Sequence, residues 1–309
     1  MPSHRARLLL CATLALPIGV AAPQGGASLL ITPTELSRVI NDPTLVVLHV
    51  GPRDDYAEGH IAGARFVQMQ DLALPNAPGT PSLTLPDEAD LRARLEQLGI
   101  SDNSRIVVVA GMDWVSPSTR IVWTLQAAGL GARTQWLDGG SDAWKRGGLP
   151  LTKDAPLAPV TGRLTIKADR SVVVDREWVR ARLGTPGFRL IDARAPMFYD
   201  GPGMDHNGQR HEAGHIPGAK NLPFNTIAND SLQYLPRATL AKMFADAGVA
   251  PGDTVVAYCH IGQQATAVLF AARLAGHPVK LYDGSFTEWE EQKLPIERSA
   301  AARSPASRP

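Results

Sequence analysis

The residues best suited to chemistry lie in the stretch VVAYCHIGQQATA, residues 255–267. Its cysteine, Cys259, directly follows a short, valine-rich apolar run, Thr254–Tyr258, which is typical of a buried strand. Apolar residues at helical spacing follow over 265–275, so the loop between them lies at a helix N-terminus. Backbone N–H groups and the helix dipole favour an anion there, and therefore the nucleophilic thiolate.

The residues that follow the cysteine are too polar for an inert core thiol, which is the alternative interpretation. Gly262 allows backbone conformations closed to other residues and lets N–H groups turn towards an anion. His260 adjoins the nucleophile, where it is a candidate anion ligand or simply an exposed loop residue. Gln263 and Gln264 are candidates for hydrogen bonds to an anionic substrate, or for closing the loop.

The first 22 residues carry two arginines, then an apolar run over 8–20, then small residues up to Ala22. This pattern is typical of a secretory signal peptide, and the apolar run is too short to span a bilayer. We therefore expect a periplasmic or secreted protein, cleaved near Ala22. Cleavage would remove Cys11, so Cys259 would remain alone and no intramolecular disulfide could form.

The rest of the 309-residue chain is long enough for two domains. The charge of the whole chain is nearly balanced, with 31 Lys and Arg against 30 Asp and Glu. That balance argues against nucleic acid or an anionic membrane as a partner, and no further apolar run reaches transmembrane length. The end of the chain, 298–309, is small, polar and proline-bearing, which predicts a disordered tail.

Two sequence patterns occur twice, in the same order. GHIAGA at 59–64 recurs as GHIPGA at 214–219. A DG pair with a tryptophan six residues after the aspartate occurs at Asp138 and again at Asp283. The repetition predicts two homologous halves joined by a linker whose first part is rich in Pro and Ala. The predicted ranges are 28–152 for the first domain, 153–167 for the linker and 168–297 for the second domain.

Strand and helix patterns alternate within each half. The predicted strands are 45–50, 105–109, 134–137, 189–192, 254–258 and 279–282. The predicted helices are 34–40, 87–98, 119–128, 178–183, 237–247 and 265–275. Such alternation predicts an α/β fold with a parallel sheet and helices on both faces. Ligands in these folds bind beyond the carboxyl ends of the strands, which is where Cys259 lies.

Together these features resemble the rhodanese family of sulfurtransferases in its tandem form. The residues that carry the resemblance are the Asp-x-Arg strand end at Asp192 and Arg194, both GHI motifs, both DG motifs with their tryptophans, and the loop CHIGQQ. The resemblance implies two rhodanese-like domains, each with a five-stranded sheet flanked by helices. It also implies that Cys259 takes a sulfane sulfur from a donor such as thiosulfate, holds it as a persulfide and passes it to cyanide or a thiol. No cofactor and no metal are expected.

The predicted substrate-binding residues are the loop after the cysteine and one arginine: His260, Ile261, Gly262, Gln263, Gln264, Ala265 and Arg194. Backbone N–H groups of the loop would hold the negative charge of the persulfide, as an oxyanion hole does. Arg194 has two candidate roles, which are contact with the substrate and an ion pair with Asp192 or Glu212.

The loop also departs from the family pattern. Family members often carry a cation two positions after the cysteine and an arginine past the Asp-x-Arg strand end, where this chain has Ile261 and Phe198. The site is therefore expected to be less cationic than usual. That leaves 3-mercaptopyruvate as an alternative donor, and a low-turnover persulfide carrier or binding module as an alternative function. A cysteine phosphatase is disfavoured, because the arginine it needs six positions after the cysteine is Ala265 here.

The first half lacks a nucleophile. Aligning 119–128 with 266–275, an offset of 147, places Met112 opposite Cys259, and His49 and Gly51 replace the Asp and Arg of the strand end. We therefore expect an inactive domain that packs on the active one, with Trp114 as a contact.

Three histidine-bearing segments are candidates for other roles. His60 and His215 recur in both halves, which favours a structural role over metal binding. The second half also gains twelve residues, 200–211, a candidate cover of the site and a source of Arg210 or His211. The spacing of Asp205, His206 and His211 is irregular for metal ligands, so no metal site is predicted.

Overall fold

A computed structural model of the chain describes residues 28–112, 114–154, 160–200 and 214–298. Within these residues the chain forms two five-stranded parallel sheets flanked by helices, which confirms the predicted fold class. The predicted signal peptide over 1–22 and the predicted tail from 299 onwards lie outside the described residues. Within the described ranges, no helix combines the length and the apolar character needed to cross a bilayer.

The first sheet has the strand order β1-β5-β4-β2-β3, and every pair in it is parallel. Its central strands are buried almost throughout, as a parallel sheet covered on both faces requires. The elements are β1 Leu30–Ile31, α1 Pro33–Val39, β2 Leu45–Val50, α2 Arg53–Glu58, β3 Arg65–Phe66, α3 Glu88–Gln97, β4 Arg105–Ala110, α4 Ser116–Ala127, β5 Thr134–Leu137 and α5 Gly140–Arg146.

The second sheet repeats this order as β6-β10-β9-β7-β8, again with parallel pairs. The repeat of topology as well as sequence shows that the two domains share one fold. The elements are β6 Val173–Val174, α6 Arg176–Arg180, β7 Phe188–Asp192, α7 Pro196–Tyr199, β8 Lys220–Asn221, α8 Arg237–Asp246, β9 Thr254–Tyr258, α9 Gln264–Ala275, β10 Val279–Tyr282 and α10 Ser285–Glu291.

The six predicted strands are confirmed to within one residue at either end, and the six predicted helices are all present. The largest shifts, of up to three residues, are at α4 and α6. Helix α6 begins early because the side chain of Asp175 caps it, accepting a hydrogen bond of 2.7 Å from the Trp178 N–H. The sequence patterns missed β1, β3, β6 and β8, since two residues are too few to show a period.

The repeated motifs have the same structural role in both domains. His60 stacks on Tyr56 with ring centroids 3.9 Å apart, and His215 stacks on Tyr199 at 3.8 Å. Each histidine also forms a backbone bridge to the chain that follows the last helix of its domain. The predicted structural role of these histidines is therefore confirmed. Each motif tryptophan donates from Nε1 to a proline carbonyl, Trp144 to Pro150 at 2.9 Å and Trp289 to Pro295 at 2.8 Å.

The two domains pack through α4 and α9, which are buried on nearly every side. Where these helices meet, the hydroxyl oxygens of Thr119 and Thr266 lie 3.0 Å apart. One hydrophobic cluster continues through both domains, and each domain has a second cluster of its own. The Trp114 ring lies 5.9 Å from the ring of Phe224 in the second domain, which confirms the predicted contact.

Candidate active site

Cys259 directly follows β9 and is separated from α9 by a loop of four residues, 260–263. Its side chain is buried, and the residue is 1% exposed. The Cys259 N–H donates to Oγ of Ser285 at 3.2 Å, and its carbonyl accepts from the Phe286 N–H at 2.9 Å. The start of α10 therefore holds the backbone of the cysteine on both sides.

Ser285 is a positioning residue that the sequence patterns did not reveal. It is fully buried, and its φ of 56° lies in the left-handed region, which is uncommon for a residue with a Cβ. Its hydroxyl donates to the Tyr282 carbonyl at 3.0 Å and accepts from Cys259. The two hydrogen bonds of this hydroxyl, which link β10 to Cys259, offset the free-energy cost of the left-handed backbone.

Gly262 has the backbone conformation expected from the sequence. Its φ is 76°, in the left-handed region that favours glycine. A Cβ at this position would also lie 2.9 Å from the carbonyl oxygen of Asp283. Glycine is required here both by the turn and by the close approach of the segment that carries the second DG motif.

A residue of the first domain holds this loop. Arg120 on α4 donates from Nη1 to the Gly262 carbonyl at 3.0 Å and forms an ion pair of 2.7 Å with Oδ1 of Asp283. Its Nη2 donates to the Leu83 carbonyl at 2.5 Å, and its side chain is only 2% exposed. The first domain thus contributes a buried cation to the loop of the second domain. The available sequence signal was an arginine within an apolar helical stretch.

The two glutamines of the loop differ in their contacts. Nε2 of Gln263 donates to Oγ of Ser116 in the first domain at 3.1 Å, and the Gln263 carbonyl accepts from Oγ1 of Thr266 at 2.6 Å. Of the two roles considered for Gln263, these contacts support closing of the loop. Oε1 of Gln264 is buried and has no hydrogen-bond partner within the described parts of the chain. Ala265, the next residue, is fully buried at the start of α9.

The remaining loop residues lie beside an aromatic ring. The His260 ring meets the Phe198 ring edge to face, with centroids 4.7 Å apart and an interplanar angle of 90°. The His260 carbonyl accepts from the Thr287 N–H at 3.1 Å. Ile261 is half-buried and brings no charge. Phe198 therefore orients His260 from the position where family members often carry an arginine.

Arg194 lies in the core of the second domain and is 1% exposed. Its Nη2 lies 2.5 Å from Oδ2 of Asp192 and donates to the Gly214 carbonyl at 2.8 Å. Its guanidinium carbon lies 3.8 Å from the centre of the Phe286 ring. These contacts support the ion-pair role with Asp192, whereas substrate contact stays a prediction and Glu212 lies outside the described residues.

The charge of Arg194 is coupled to the cysteine. Burial alone would lower the pKa of Arg194, but the Asp192 carboxylate outweighs it, and Tyr258 and Cys259 also help to raise the pKa above its usual value. Arg194 is therefore a buried positive charge close to Cys259, and it is already paired with Asp192.

The sheet register corrects the alignment of the two loops. Ile106 and Val255 pair with the first residues of β5 and β10, so β4 matches β9 at an offset of 149 (255 minus 106). The helices keep the offset of 147, so the first-domain loop is two residues longer. The strand therefore places Ala110, and not Met112, opposite Cys259, and the prediction of Met112 is wrong at the strand end. The first domain still lacks a thiol at either position.

Most of the insertion over 200–211 cannot be placed at the site. Only Asp200 belongs to the described residues, while the candidates from the insertion, Asp205, His206, Arg210 and His211, lie outside them. Among the residues that are described, no three His, Cys, Asp or Glu side chains are grouped as metal ligands would be.

Comparisons with known proteins agree with this geometry. The family description "Rhodanese-like domain" matches residues 32–147 and 175–292. A thiosulfate sulfurtransferase of Pseudomonas aeruginosa is 32% identical over 266 residues, covering 84% of this chain and 93% of that protein. A protein of the same organism named "Probable 3-mercaptopyruvate sulfurtransferase" is 35% identical over 274 residues, covering 84% and 94%. The crystal structure of SseA from Escherichia coli has the same fold, with a TM-score of 0.72 at 24% identity, covering 84% of this chain and 99% of that one. The chain therefore belongs to the rhodanese family and carries two rhodanese-like domains in tandem.

Proposed function

We propose that this protein is a thiosulfate sulfurtransferase that carries a sulfane sulfur on Cys259. The observation that carries the proposal is the placement of Cys259 between β9 and α9, in a loop held by α10 and by Arg120. The first N–H groups of a helix have no acceptor within the helix, and a persulfide brought to them is an anion. Arg194 adds a buried positive charge to the same surroundings.

The reaction has two half-reactions. The Cys259 thiolate attacks the sulfane sulfur of thiosulfate, a new sulfur–sulfur bond forms, and sulfite leaves with the electron pair of the bond that breaks. The cysteine is then a persulfide anion. Cyanide or a thiolate attacks its outer sulfur, takes that sulfur as thiocyanate or as a new persulfide, and restores the Cys259 thiolate. Two such steps on one nucleophile give ping-pong kinetics.

Thiosulfate as the sulfur donor is supported by the relatives named thiosulfate sulfurtransferase, of which the Pseudomonas aeruginosa protein matches most of the chain. A second donor, 3-mercaptopyruvate, is favoured by one observation. The loop from Cys259 to Ala265 contains no lysine and no arginine, and Arg194 is already engaged with Asp192. A donor that depends less on a cationic loop suits such a site, and a relative with that name matches the chain equally well.

Steady-state kinetics with each donor test the proposal. Thiosulfate with cyanide should yield thiocyanate, and double-reciprocal plots at several cyanide concentrations should be parallel. The same assay with 3-mercaptopyruvate in place of thiosulfate gives kcat/KM for each donor. A higher value for 3-mercaptopyruvate would make it, and not thiosulfate, the preferred donor. Absence of thiocyanate with both donors would contradict the proposed activity and leave the carrier function.

Export of the protein is also a proposal. The charged start, the apolar run over 8–20 and the small residues before Ala22 support a secretory signal peptide. Expression with the native N-terminus should yield a periplasmic or secreted protein that begins near residue 23, measured by N-terminal sequencing of fractionated cells. A full-length chain in the cytoplasm would contradict export and would leave the catalytic proposal untouched.

A further inference from the structure

The first domain has a cavity of about 510 Å³ at the carboxyl edge of its sheet. Its lining includes His49 near the end of β2, Gly59 and Ser141. Four charged side chains also line it, Asp55, Glu58, Asp142 and Lys145, together with Pro52, Gly111, Met112 and Leu151. The cavity lies in the half of the molecule that has no catalytic cysteine, so the proposed sulfur transfer does not use it.

In the second domain the corresponding position is filled by the guanidinium of Arg194. That group contacts Asp192, the Gly214 carbonyl and the Phe286 ring. Each of these has a counterpart in the first domain. His49 is the counterpart of Asp192, because each pairs with the last residue of the neighbouring edge strand, β3 or β8. Gly59 is the counterpart of Gly214, because each is the first residue of a GHI motif. Ser141 is the counterpart of Phe286, because each lies three residues after the aspartate of a DG motif. The counterparts of all three contacts line the cavity.

The first domain cannot fill this cavity with an arginine of its own from the equivalent position. Gly51 stands where the second domain has Arg194, at the offset of 143 that the paired strands give (192 minus 49). A Cβ at residue 51 would lie 2.7 Å from the carbonyl oxygen of Gly111, which is too close for any side chain. The longer loop after β4 has therefore closed the path that Arg194 uses in the second domain.

His49 provides an unsatisfied acceptor in the cavity. It is 1% exposed, and neither ring nitrogen has a hydrogen-bond partner in the described parts of the chain. Burial, followed by the charges of His60 and Lys145, lowers the pKa of His49 to about 4. At neutral pH the ring is therefore uncharged and has one nitrogen able to accept a hydrogen bond. A buried acceptor without a donor is costly unless a ligand or water supplies one.

The charged part of the lining favours a cation. Asp55, Glu58 and Asp142 bring three carboxylates, against the single ammonium of Lys145. Lys145 lies 3.5 Å from Asp142, and both side chains are more than half exposed. Such an exposed ion pair is weak, so another cation can displace Lys145 from Asp142. A cationic ligand would compete with Lys145 for Asp142 and would meet two further carboxylates.

We propose that this cavity binds a small organic guanidinium cation, which takes the place that the Arg194 side chain holds in the second domain. A planar guanidinium has five N–H donors in a fixed geometry that suits carboxylates and other acceptors around it. His49 accepts one hydrogen bond at the inner end, and the carboxylates of Asp55, Glu58 and Asp142 balance the charge. The first domain is then a binding module for a cation, while the second carries the sulfur chemistry.

Titration of the full-length protein with methylguanidinium tests the proposal, with methylurea as the neutral ligand of the same shape. We expect saturable binding of methylguanidinium at least about tenfold tighter than that of methylurea, detected by calorimetry and by shifts of the His49 ring signals in NMR spectra. Asp55→Asn should weaken binding several-fold, whereas Lys145→Gln should strengthen it because the competing ammonium is gone.

Asp54→Asn is the matched control. Asp54 precedes Asp55 in the first turn of α2 and is also exposed, but it does not line the cavity. Its substitution should leave the binding of methylguanidinium unchanged. Equal binding of methylguanidinium and methylurea, or equal effects of Asp54→Asn and Asp55→Asn, would overturn the proposal. These variants lie on the surface of the first domain and should leave thiocyanate formation unchanged.

Discussion

The two domains have the same sheet and differ in what lies at its carboxyl edge. In the second domain that edge carries Cys259 and the buried pair of Asp192 and Arg194. In the first domain the strand ends carry Ala110 and His49, and a cavity takes the place of the guanidinium. The comparison shows that the packing of a domain can be kept while the groups that do chemistry are replaced.

The contact between the domains is also unequal. Arg120 of α4 reaches Asp283 in the second domain, but the counterpart of Arg120 on α9 is Ala267, at the helix offset of 147 (267 minus 120). Asp138, the counterpart of Asp283, is therefore left with an Oδ1 that has no hydrogen-bond partner among the described residues. Burial raises the pKa of Asp138, although a hydrogen bond to the Tyr234 backbone opposes the rise. The buried ion pair that Arg120 makes with Asp283 thus has no counterpart between Ala267 and Asp138.

The largest effect should come from moving the nucleophile between the domains. Cys259→Ser should abolish thiocyanate formation, because a hydroxyl cannot hold a sulfane sulfur as a persulfide. Adding Ala110→Cys to that variant should not restore activity, since the first domain has a longer loop and no counterpart of Arg194. Steady-state thiocyanate assays on the single and double variants measure both effects. Met112→Ala, in the first-domain loop, should retain the activity of the unmodified protein. Recovery of activity in the double variant would mean that the two domain edges are equivalent after all.

The unequal contact between the domains can be tested at Arg120. Arg120→Ala leaves the Asp283 carboxylate, whose side chain is only 13% exposed, without its cation. The free energy of unfolding should therefore fall by about 3 kcal/mol, as for other broken ion pairs that are largely buried. The loss of the Gly262 contact should also lower kcat by at least about tenfold, because the loop that positions Cys259 is released. Urea unfolding and steady-state kinetics measure the two effects.

Arg105→Ala is the control for this experiment. Arg105 pairs with Asp42 at 3.8 Å, and the side chains are 44% and 31% exposed, far more than those of Arg120 and Asp283. Its removal should cost less than about 1 kcal/mol and should leave kcat unchanged. Similar losses for Arg105→Ala and Arg120→Ala would show that α4 is a passive scaffold.

His49 stands where the second domain has Asp192, and it should make the stability of the first domain depend on pH. Burial, with His60 and Lys145, lowers the pKa of His49 from 6.5 to about 4. Between these two values the unfolded chain binds a proton that the folded chain excludes, so stability should fall as the pH falls through this window. The total loss from His49 should be about 3 kcal/mol, complete below pH ~4 and absent above pH ~6.5.

Urea unfolding at several pH values between these limits, for the unmodified protein and for His49→Gln, measures this effect. The slope of the free energy of unfolding against pH gives the number of protons taken up on unfolding. In His49→Gln this number should be smaller by about one within the window. The same slope in both proteins would show that His49 carries its proton equally in the folded and unfolded states.

The smallest effect is expected at the aromatic contact between the domains. Trp114 is 37% exposed, and its ring contacts that of Phe224. Trp114→Ala should lower the free energy of unfolding by about 1 kcal/mol. A double-mutant cycle with Phe224→Ala should give a coupling energy of at least about 0.5 kcal/mol, and additive effects would mean that the rings do not interact.

Local patterns in the sequence predicted much of this molecule. The apolar runs marked the central strands, and the residues around Cys259 predicted a loop between a strand and a helix, because both signals lie within a few neighbouring residues. The glycine at 262 was also predictable, since its turn is local. The repeated motifs predicted two domains of one fold, because each motif makes the same contacts in both halves.

The contacts that hold the site were not predictable in this way. Arg120 lies 142 residues before Gly262 in the chain, and only the packing of α4 on α9 brings them together. Ser285 reaches Cys259 through the register of β10 beside β9, which spacing alone does not reveal. The two extra residues in the first-domain loop were hidden because the helices align without a gap. Pairing between strands was needed to find Ala110 opposite Cys259.

Sulfur should be carried by the second domain alone, on Cys259. Intact-protein mass spectrometry after treatment with thiosulfate, followed by peptide mapping, measures this. We expect a mass gain of one sulfur atom, located on Cys259, lost on addition of cyanide and absent from Cys259→Ser. A protein that gains no sulfur from thiosulfate or from 3-mercaptopyruvate, or that gains it elsewhere than on Cys259, would show that Cys259 is not the sulfur carrier.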